Sequence, residues 1–145
     1  TWDDLLKTPK DKISIEHIFP QTPTDKWKNI FSDVVEDDYC YYSGSIGNLL
    51  LLSMSINSSL QNDTFDEKKH PKIGDSGEKI RNGYSDGSHS EIEVSKHDEW
   101  NTTKIEDRGL QLLNFMEKRW DIKFKDEEDK EMLLFLDTKV ESADD

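Results

Sequence analysis

The stretch "KISIEHIFPQ", residues 12–21, decides the fold. Ile13 and Ile15 alternate with polar residues, which is the pattern of a β-strand. The strand ends in a carboxylate and an imidazole, Glu16 and His17, just before a proline turns the chain away. Because an imidazole can accept a proton near neutral pH, a histidine at a strand end is a candidate general base.

Composition limits the kind of protein that carries this strand. The chain has 145 residues, which suits one domain, and it is 32% hydrophobic and 35% charged. Such a lean core leads us to expect that parts of the chain pack loosely or against a partner domain. The chain does not begin with Met, so we expect a piece of a longer multidomain protein.

One cysteine and no long apolar run exclude further classes. Cys40 alone forms neither an internal disulfide nor a multi-cysteine zinc site, which favours a reducing, cytoplasmic setting. The longest apolar run, residues 49–52, is too short to span a membrane, so no membrane partner is expected.

The charge balance restricts how the chain meets nucleic acid. The formal net charge is −13. Residues 123–145 hold four Lys against nine Asp and Glu, and the rest of the chain is also acidic. Proteins that bind nucleic acid by themselves usually carry a basic face. Contact with nucleic acid is therefore expected to be local, helped by a metal ion, or supported by another domain.

A second apolar stretch completes the pattern that begins at residue 12. Residues 43–52, "SGSIGNLLLL", have turn residues followed by an apolar run, which predicts a second strand. Residues 53–62, "SMSINSSLQN", place Ile56 and Leu60 four apart, which predicts a short helix. The order strand, strand, helix brings the strand-end imidazole towards one face of the helix.

The polar residues of these pieces suit metal-assisted hydrolysis. Asn48 follows a glycine, where its amide can hold the loop beside His17. Asn57 offers a neutral oxygen and Glu16 a charged one to a hard divalent cation. A base beside a weakly held magnesium ion is what hydrolysis of a phosphodiester requires.

The rest of the chain predicts helices and loops. Residues 1–11 suggest a helical turn, residues 22–42 a short helix and loop, and residues 63–99 mostly loop with a short helix near 67–73. Residues 101–120 give the strongest helix, with Asn101 as its cap and Trp120 on its apolar stripe.

A last helix is predicted at about 126–136, with Met132, Leu133 and Phe135 or Leu136 inward, and the final residues are expected to fray. The fold class is α+β: a short hairpin, several surrounding helices and a long loop-rich middle segment. Residues 1–122 would form the main domain and 123–145 an acidic helix and tail.

Together these residues resemble a known family. "IEHIFPQ" followed by "GSIGNLLLLSMSINSSLQN" looks like the His-Me finger, or HNH, endonuclease motif, in which two asparagines lie nine residues apart. The closer resemblance is to the C-terminal nuclease domain of GmrSD-type modification-dependent restriction enzymes and related phage-defence proteins. That family continues with "F-x-x-K", "Y-S" and "W-x-x-x-x-I-x-x-R" elements, which here fall at 65–68, 84–85 and 100–108.

The resemblance implies a ββα-metal core at about residues 12–65 and a role for each site residue. His17 would be the general base and Asn48 would orient it. Glu16 and Asn57 would bind one divalent ion, Mg²⁺ or Mn²⁺. The phosphate contacts implied by the resemblance come from two further residues, Lys68 and Arg108.

The implied function is metal-dependent hydrolysis of DNA, including modified phage DNA, in a bacterial cytoplasm. The resemblance also implies an N-terminal nucleotide-hydrolysing domain as partner, and a double-strand break would need two copies or two encounters. An RNA-cutting toxin-type nuclease and an inactive protein-interaction module of the same fold are the alternatives.

Each site residue also has a simpler interpretation. Asn48 is typical of a turn after glycine. Glu16 suits an exposed strand position. Lys68 belongs to a small basic run that would suit a solvated face, and Arg108 suits a structural ion pair. Trp100 and Trp120 are expected to pack in the core.

Overall fold

The computed structural model describes residues 13–124 and 126–134, without the side chains of residues 53–55. It confirms the α+β class: within that part of the chain, helices surround two small antiparallel sheets. The strands are β1 (Ile13–His17), β2 (Leu49–Ser53), β3 (Lys72–Ile73) and β4 (Lys79–Arg81). The helices are α1 (Asp25–Ile30), α2 (Tyr39–Gly44), α3 (Met54–Leu60), α4 (Phe65–Lys69), α5 (His89–Ser95), α6 (Thr102–Trp120) and α7 (Glu127–Leu133). Short 3-10 turns cover Glu36–Asp38, Ile46–Asn48 and Tyr84–Asp86.

Strands β1 and β2 pair along their whole length and lead into α3, in the predicted order. Ile13 lies opposite Ser53 and His17 opposite Leu49. The face that is buried is unexpected: the isoleucines at 13 and 15 are exposed, whereas Glu16 is buried. The alternation therefore predicted the strand, and the buried carboxylate needs its own explanation.

The segment between the two hairpin strands builds an aromatic core beside the end of β1. Phe19 stacks on Phe31 with ring centroids 3.9 Å apart, and Trp27 packs edge-on against Phe19. Trp27 lies on α1, which agrees with the predicted short helix. Burying large aromatic side chains gives the chain immediately after His17 a rigid support.

Helix α6 agrees closely with the prediction, and its N-cap Asn101 accepts a hydrogen bond from the Lys104 amide at 3.1 Å. It packs on the 3-10 turn before β2, where a Cβ on Gly47 would meet backbone atoms of α6.

The prediction that Trp120 packs in the core is wrong. Trp120 is 58% exposed at the last residue of α6, so the described part of the chain covers less than half of it.

Helix α7 forms near the predicted position but turns a different face inward. Met132 and Leu133 are exposed, while Lys130 and Leu134 are buried. Lys130 reaches Asn114 of α6 at 2.8 Å. The prediction placed the apolar face of this helix about half a turn away from the face that contacts α6.

The middle segment contains more structure than predicted. Besides α4 it holds the hairpin of β3 and β4, a 3-10 turn and α5. Arg81 fastens the hairpin, since its guanidinium donates to the Asp63 carboxylate at 2.8 Å and to the Glu67 carbonyl at 3.1 Å. These elements are short and polar, so their sequence resembles that of a loop.

Two sets of predictions lie outside the described residues: the helical turn in residues 1–11, and the end of the last helix with its tail beyond residue 134. None of the helices in the described part of the chain combines the length and apolar character that crossing a membrane would need.

Candidate active site

His17 stands at the end of β1 with its ring orientation fixed by one hydrogen bond. Its Nδ1 lies 2.7 Å from the carbonyl oxygen of Ser43. A carbonyl oxygen can only accept, so in the neutral ring Nδ1 carries the hydrogen and Nε2 carries the lone pair. The side chain is half-buried, which leaves part of the ring open to solvent. This is the tautomer that a general base acting through Nε2 requires.

Asn48 is completely buried and uses both ends of its amide. Its Nδ2 donates to the carbonyl of Phe19 at 2.9 Å and to that of Ser43 at 3.0 Å. Its Oδ1 accepts from the Phe19 amide at 2.8 Å and from the indole of Trp100 at 3.1 Å. Asn48 and His17 thus meet at the Ser43 carbonyl, and Asn48 also holds Phe19, two residues after the histidine.

Asn57 lies on α3 beside the outer edge of β1. Its Nδ2 donates to Ser14 Oγ at 2.7 Å and to the Ile15 carbonyl at 2.8 Å. With both amide hydrogens directed at the strand, Oδ1 is the remaining polar atom of the side chain. Asn57, His17 and Glu16 line one shallow depression of about 250 Å³, together with polar residues such as Gln21 and Asn62.

Glu16 is placed differently from the predicted metal ligand. Its side chain is 4% exposed, and its Oε1 accepts from Lys68 Nζ at 2.7 Å and from the Tyr84 hydroxyl at 2.8 Å. A carboxylate neutralised by a buried ammonium is a poor ligand for a cation that must enter from solvent. The placement therefore does not support direct metal binding by Glu16.

Lys68 is likewise internal, and the predicted phosphate contact does not fit its position. The side chain has no exposed surface, and the ammonium also donates to the carbonyls of His17 at 3.0 Å and Ile18 at 3.1 Å. All three of its hydrogens are used. Burial lowers the pKa of Lys68, and the neighbouring carboxylate of Glu16 opposes that shift.

Arg108 supports the turn that carries Asn48. Its Nη1 donates to the carbonyls of Gly47 at 2.8 Å and Leu49 at 2.9 Å, and burial lowers its pKa. These hydrogen bonds go to backbone carbonyls, and the predicted phosphate contact of Arg108 stays a prediction.

The donors around the depression fit only a weakly held metal ion. In the described part of the chain, no three His, Cys, Asp or Glu side chains are grouped so that they could hold one. Magnesium usually binds through few protein oxygens, with waters and substrate phosphates completing its shell. The Oδ1 of Asn57 fits as one such ligand, and the paired Glu16 does not.

Two residues at the site were missed as site residues. Trp100 was expected only to pack in the core, yet its indole N–H bonds Asn48. Tyr84 carried no predicted role, although it stands in the "Y-S" element and its hydroxyl reaches Glu16. A buried indole or hydroxyl normally needs a hydrogen-bond partner, and this was the signal available in the sequence.

Comparison with known proteins places this geometry in a family. Residues 2–115 match the family model described as GmrSD restriction endonucleases, C-terminal domain. No match was found among curated proteins or among solved structures. Because the matched segment covers more than half of the chain and contains His17, Asn48 and Asn57, the chain belongs to the family of GmrSD restriction endonuclease C-terminal domains.

Proposed function

We propose that the chain is a metal-dependent DNA endonuclease with a His-Me finger core formed by β1, β2 and α3, and that it is the nuclease part of a restriction or phage-defence protein. Family membership supports a nuclease acting in restriction. The observation that carries the mechanism is the bond from His17 Nδ1 to the Ser43 carbonyl, since it leaves Nε2 as the basic nitrogen at the depression.

The proposed reaction is hydrolysis of one phosphodiester bond. His17 Nε2 takes a proton from a water molecule, and the water oxygen forms a new bond to phosphorus. The bond from phosphorus to the 3′ oxygen breaks, and that oxygen leaves with a proton from solvent. Asn48 keeps the ring and the Ser43 carbonyl in place, so that the base need not reorient during the step.

A divalent ion would be held by Asn57 Oδ1 and the substrate phosphate, and it would stabilise the negative charge on the phosphate and on the leaving oxygen. Glu16 is not part of this ligand set, because it is paired with Lys68. The amide hydrogens of Asn57 bind β1, which fixes the direction of its oxygen.

The acidity of the chain determines how it would act. With a net charge of −13, the chain would depend on another domain for much of its affinity and target choice. We propose an N-terminal nucleotide-hydrolysing domain for this role. One base serves one strand, so a double-strand break takes two copies or two encounters.

The test is plasmid nicking by the full-length protein with Mg²⁺ or Mn²⁺, on plain and on modified DNA. His17→Ala is expected to lower kcat by about 10²–10⁴-fold. His89→Ala is the matched control, because that histidine is 91% exposed on α5 and should leave the rate unchanged. Equal nicking by wild type and His17→Ala would refute the mechanism, and cleavage of RNA but not DNA in parallel digests would refute the substrate.

A further inference from the structure

A buried polar network joins three separate elements beneath His17. Glu16 comes from β1, Lys68 from α4 and Tyr84 from a 3-10 turn, and each of the three side chains is almost fully buried. Lys68 and Tyr84 both donate to Oε1 of Glu16, at 2.7 and 2.8 Å. The network brings together residues separated by up to 68 positions in the sequence.

A charged pair in the interior needs a reason beyond stability. Taking two charges out of water costs free energy that their attraction often fails to recover, and apolar residues of similar volume would often hold the fold as well. In this pair the Lys68 ammonium donates one hydrogen bond to Glu16 and two to main-chain carbonyls, those of His17 and Ile18.

These two carbonyls fix the backbone that carries the catalytic base. The His17 carbonyl is the last of β1, and the Ile18 carbonyl follows it outside the strand. Asn48 holds the next residue, Phe19, through both its amide and its carbonyl. The chain from 17 to 19 is thus clamped by Lys68 on one side and by Asn48 on the other.

We propose that Lys68, held by the Glu16 carboxylate that Tyr84 also binds, is a positioning residue for the nuclease: it sets the backbone of His17 so that Nδ1 meets the Ser43 carbonyl. This inference rests on the proposed function. The side chain of Lys68 has no exposed surface, so a contact with substrate is closed to it, and its hydrogen bonds give it a task at the base. Burial raises the pKa of Tyr84 well above its ordinary value, so its hydroxyl remains a donor to Glu16.

The direct test is the tautomer of His17, read from imidazole ¹⁵N shifts of the histidine-labelled full-length protein. Wild type is expected to show the hydrogen on Nδ1. Lys68→Met is expected to move the signal towards the mixed tautomers of a free imidazole. Lys69→Met is the matched control: the neighbouring lysine contacts the His97 carbonyl at 3.2 Å, so its loss should leave the His17 signal unchanged.

Activity supplies the second measurement. Lys68→Met is expected to lower kcat about 10²-fold with little change in KM, because misplacing a base affects the chemical step. Since Lys68→Met leaves Glu16 unpaired, the double variant Glu16→Gln/Lys68→Met removes the buried charge and tests the same clamp. Both variants should show a cooperative thermal unfolding transition. In both, the ¹⁵N shifts of His17 should no longer place the hydrogen on Nδ1 alone.

The outcomes separate this inference from the proposed function. A folded Lys68→Met protein with an unchanged His17 signal and unchanged kcat would overturn it. Failure of both the single and the double variant to fold would also overturn it, since the network would then serve the whole fold. A fully active His17→Ala protein would refute the proposed function, whereas the tautomer measurement needs no cleavage and tests the contact of Lys68 with the His17 backbone by itself.

Discussion

Replacing Gly47 by alanine should separate the turn that carries Asn48 from helix α6. A Cβ at this position would lie 2.0 Å from the carbonyl oxygen of Ile105 and 2.8 Å from the amide nitrogen of Gly109. Both contacts are with the backbone of one helix, so no side chain can rotate to relieve them. The turn has to move away from α6 by about 1 Å to bring the shorter contact to 3.0 Å.

The cost follows from this displacement. Forcing an extra methyl group into a packed site costs about 1–3 kcal/mol. Arg108, which donates to the Gly47 carbonyl at 2.8 Å, would also lose part of a hydrogen bond, worth about 1 kcal/mol. A loss of about 2–4 kcal/mol in the free energy of unfolding lowers Tm by roughly 6–12 °C in a chain of this size.

The assay is urea and thermal unfolding, followed by nicking activity. Gly44→Ala is the matched control: the residue is exposed at the end of α2, and a Cβ there meets nothing within 4 Å. Its stability should stay the same or rise by about 0.4–1 kcal/mol. The reasoning fails if Gly47→Ala and Gly44→Ala melt within 1–2 °C of each other, about the shift expected from well under 1 kcal/mol.

Three further predictions follow from hydrogen bonds and pKa shifts. Thr64→Ala removes the capping box with Glu67 and should cost about 1 kcal/mol in urea unfolding. These hydrogen bonds lower the pKa of Glu67, so the stability they contribute is present above its ordinary pKa and is lost as pH falls through the lowered value. If acidification lowered the free energy of unfolding equally in Thr64→Ala and wild type, this reasoning would be contradicted. Trp100→Phe keeps an aromatic ring but removes the donor to Asn48, and should cost about 1–2 kcal/mol; an unchanged denaturation midpoint would show that the bond contributes nothing. Burial raises the pKa of Tyr84, so the unfolded chain loses this proton first, and the free energy of unfolding should fall as pH rises above about 10. Tyr84→Phe should reduce this fall, and a wild type whose stability does not fall in this range would contradict the reasoning.

The sequence predicted those parts of the fold that depend on local pattern. Alternation located β1, the apolar run located β2, and the N-cap at Asn101 located α6. It failed where tertiary contacts decide the outcome. Which face of α7 turns inward depends on the contact of Lys130 with α6. A pattern of apolar residues does not predict that a lysine faces inward.

The candidate site also combines positions that the sequence predicted with contacts that it did not. His17 and Asn57 line one depression as expected, because the predicted pairing of β1 with β2 brings α3 beside β1. The predicted phosphate contact of Lys68 came from the family resemblance, and Glu16 was predicted as a metal ligand from its charged oxygen and from the same resemblance. Neither source could anticipate their pairing, since it joins residues 52 positions apart in the interior.

The segment between the hairpin strands is also part of the site rather than a spacer. It supplies the Ser43 carbonyl that fixes the tautomer of His17, and its aromatic residues pack on Phe19 just beyond that histidine. Orientation of the imidazole therefore needs partners outside the two motif strands, including Ser43 and Lys68. A chain that retained the motif residues but lost these partners would keep a histidine at the strand end with no fixed tautomer.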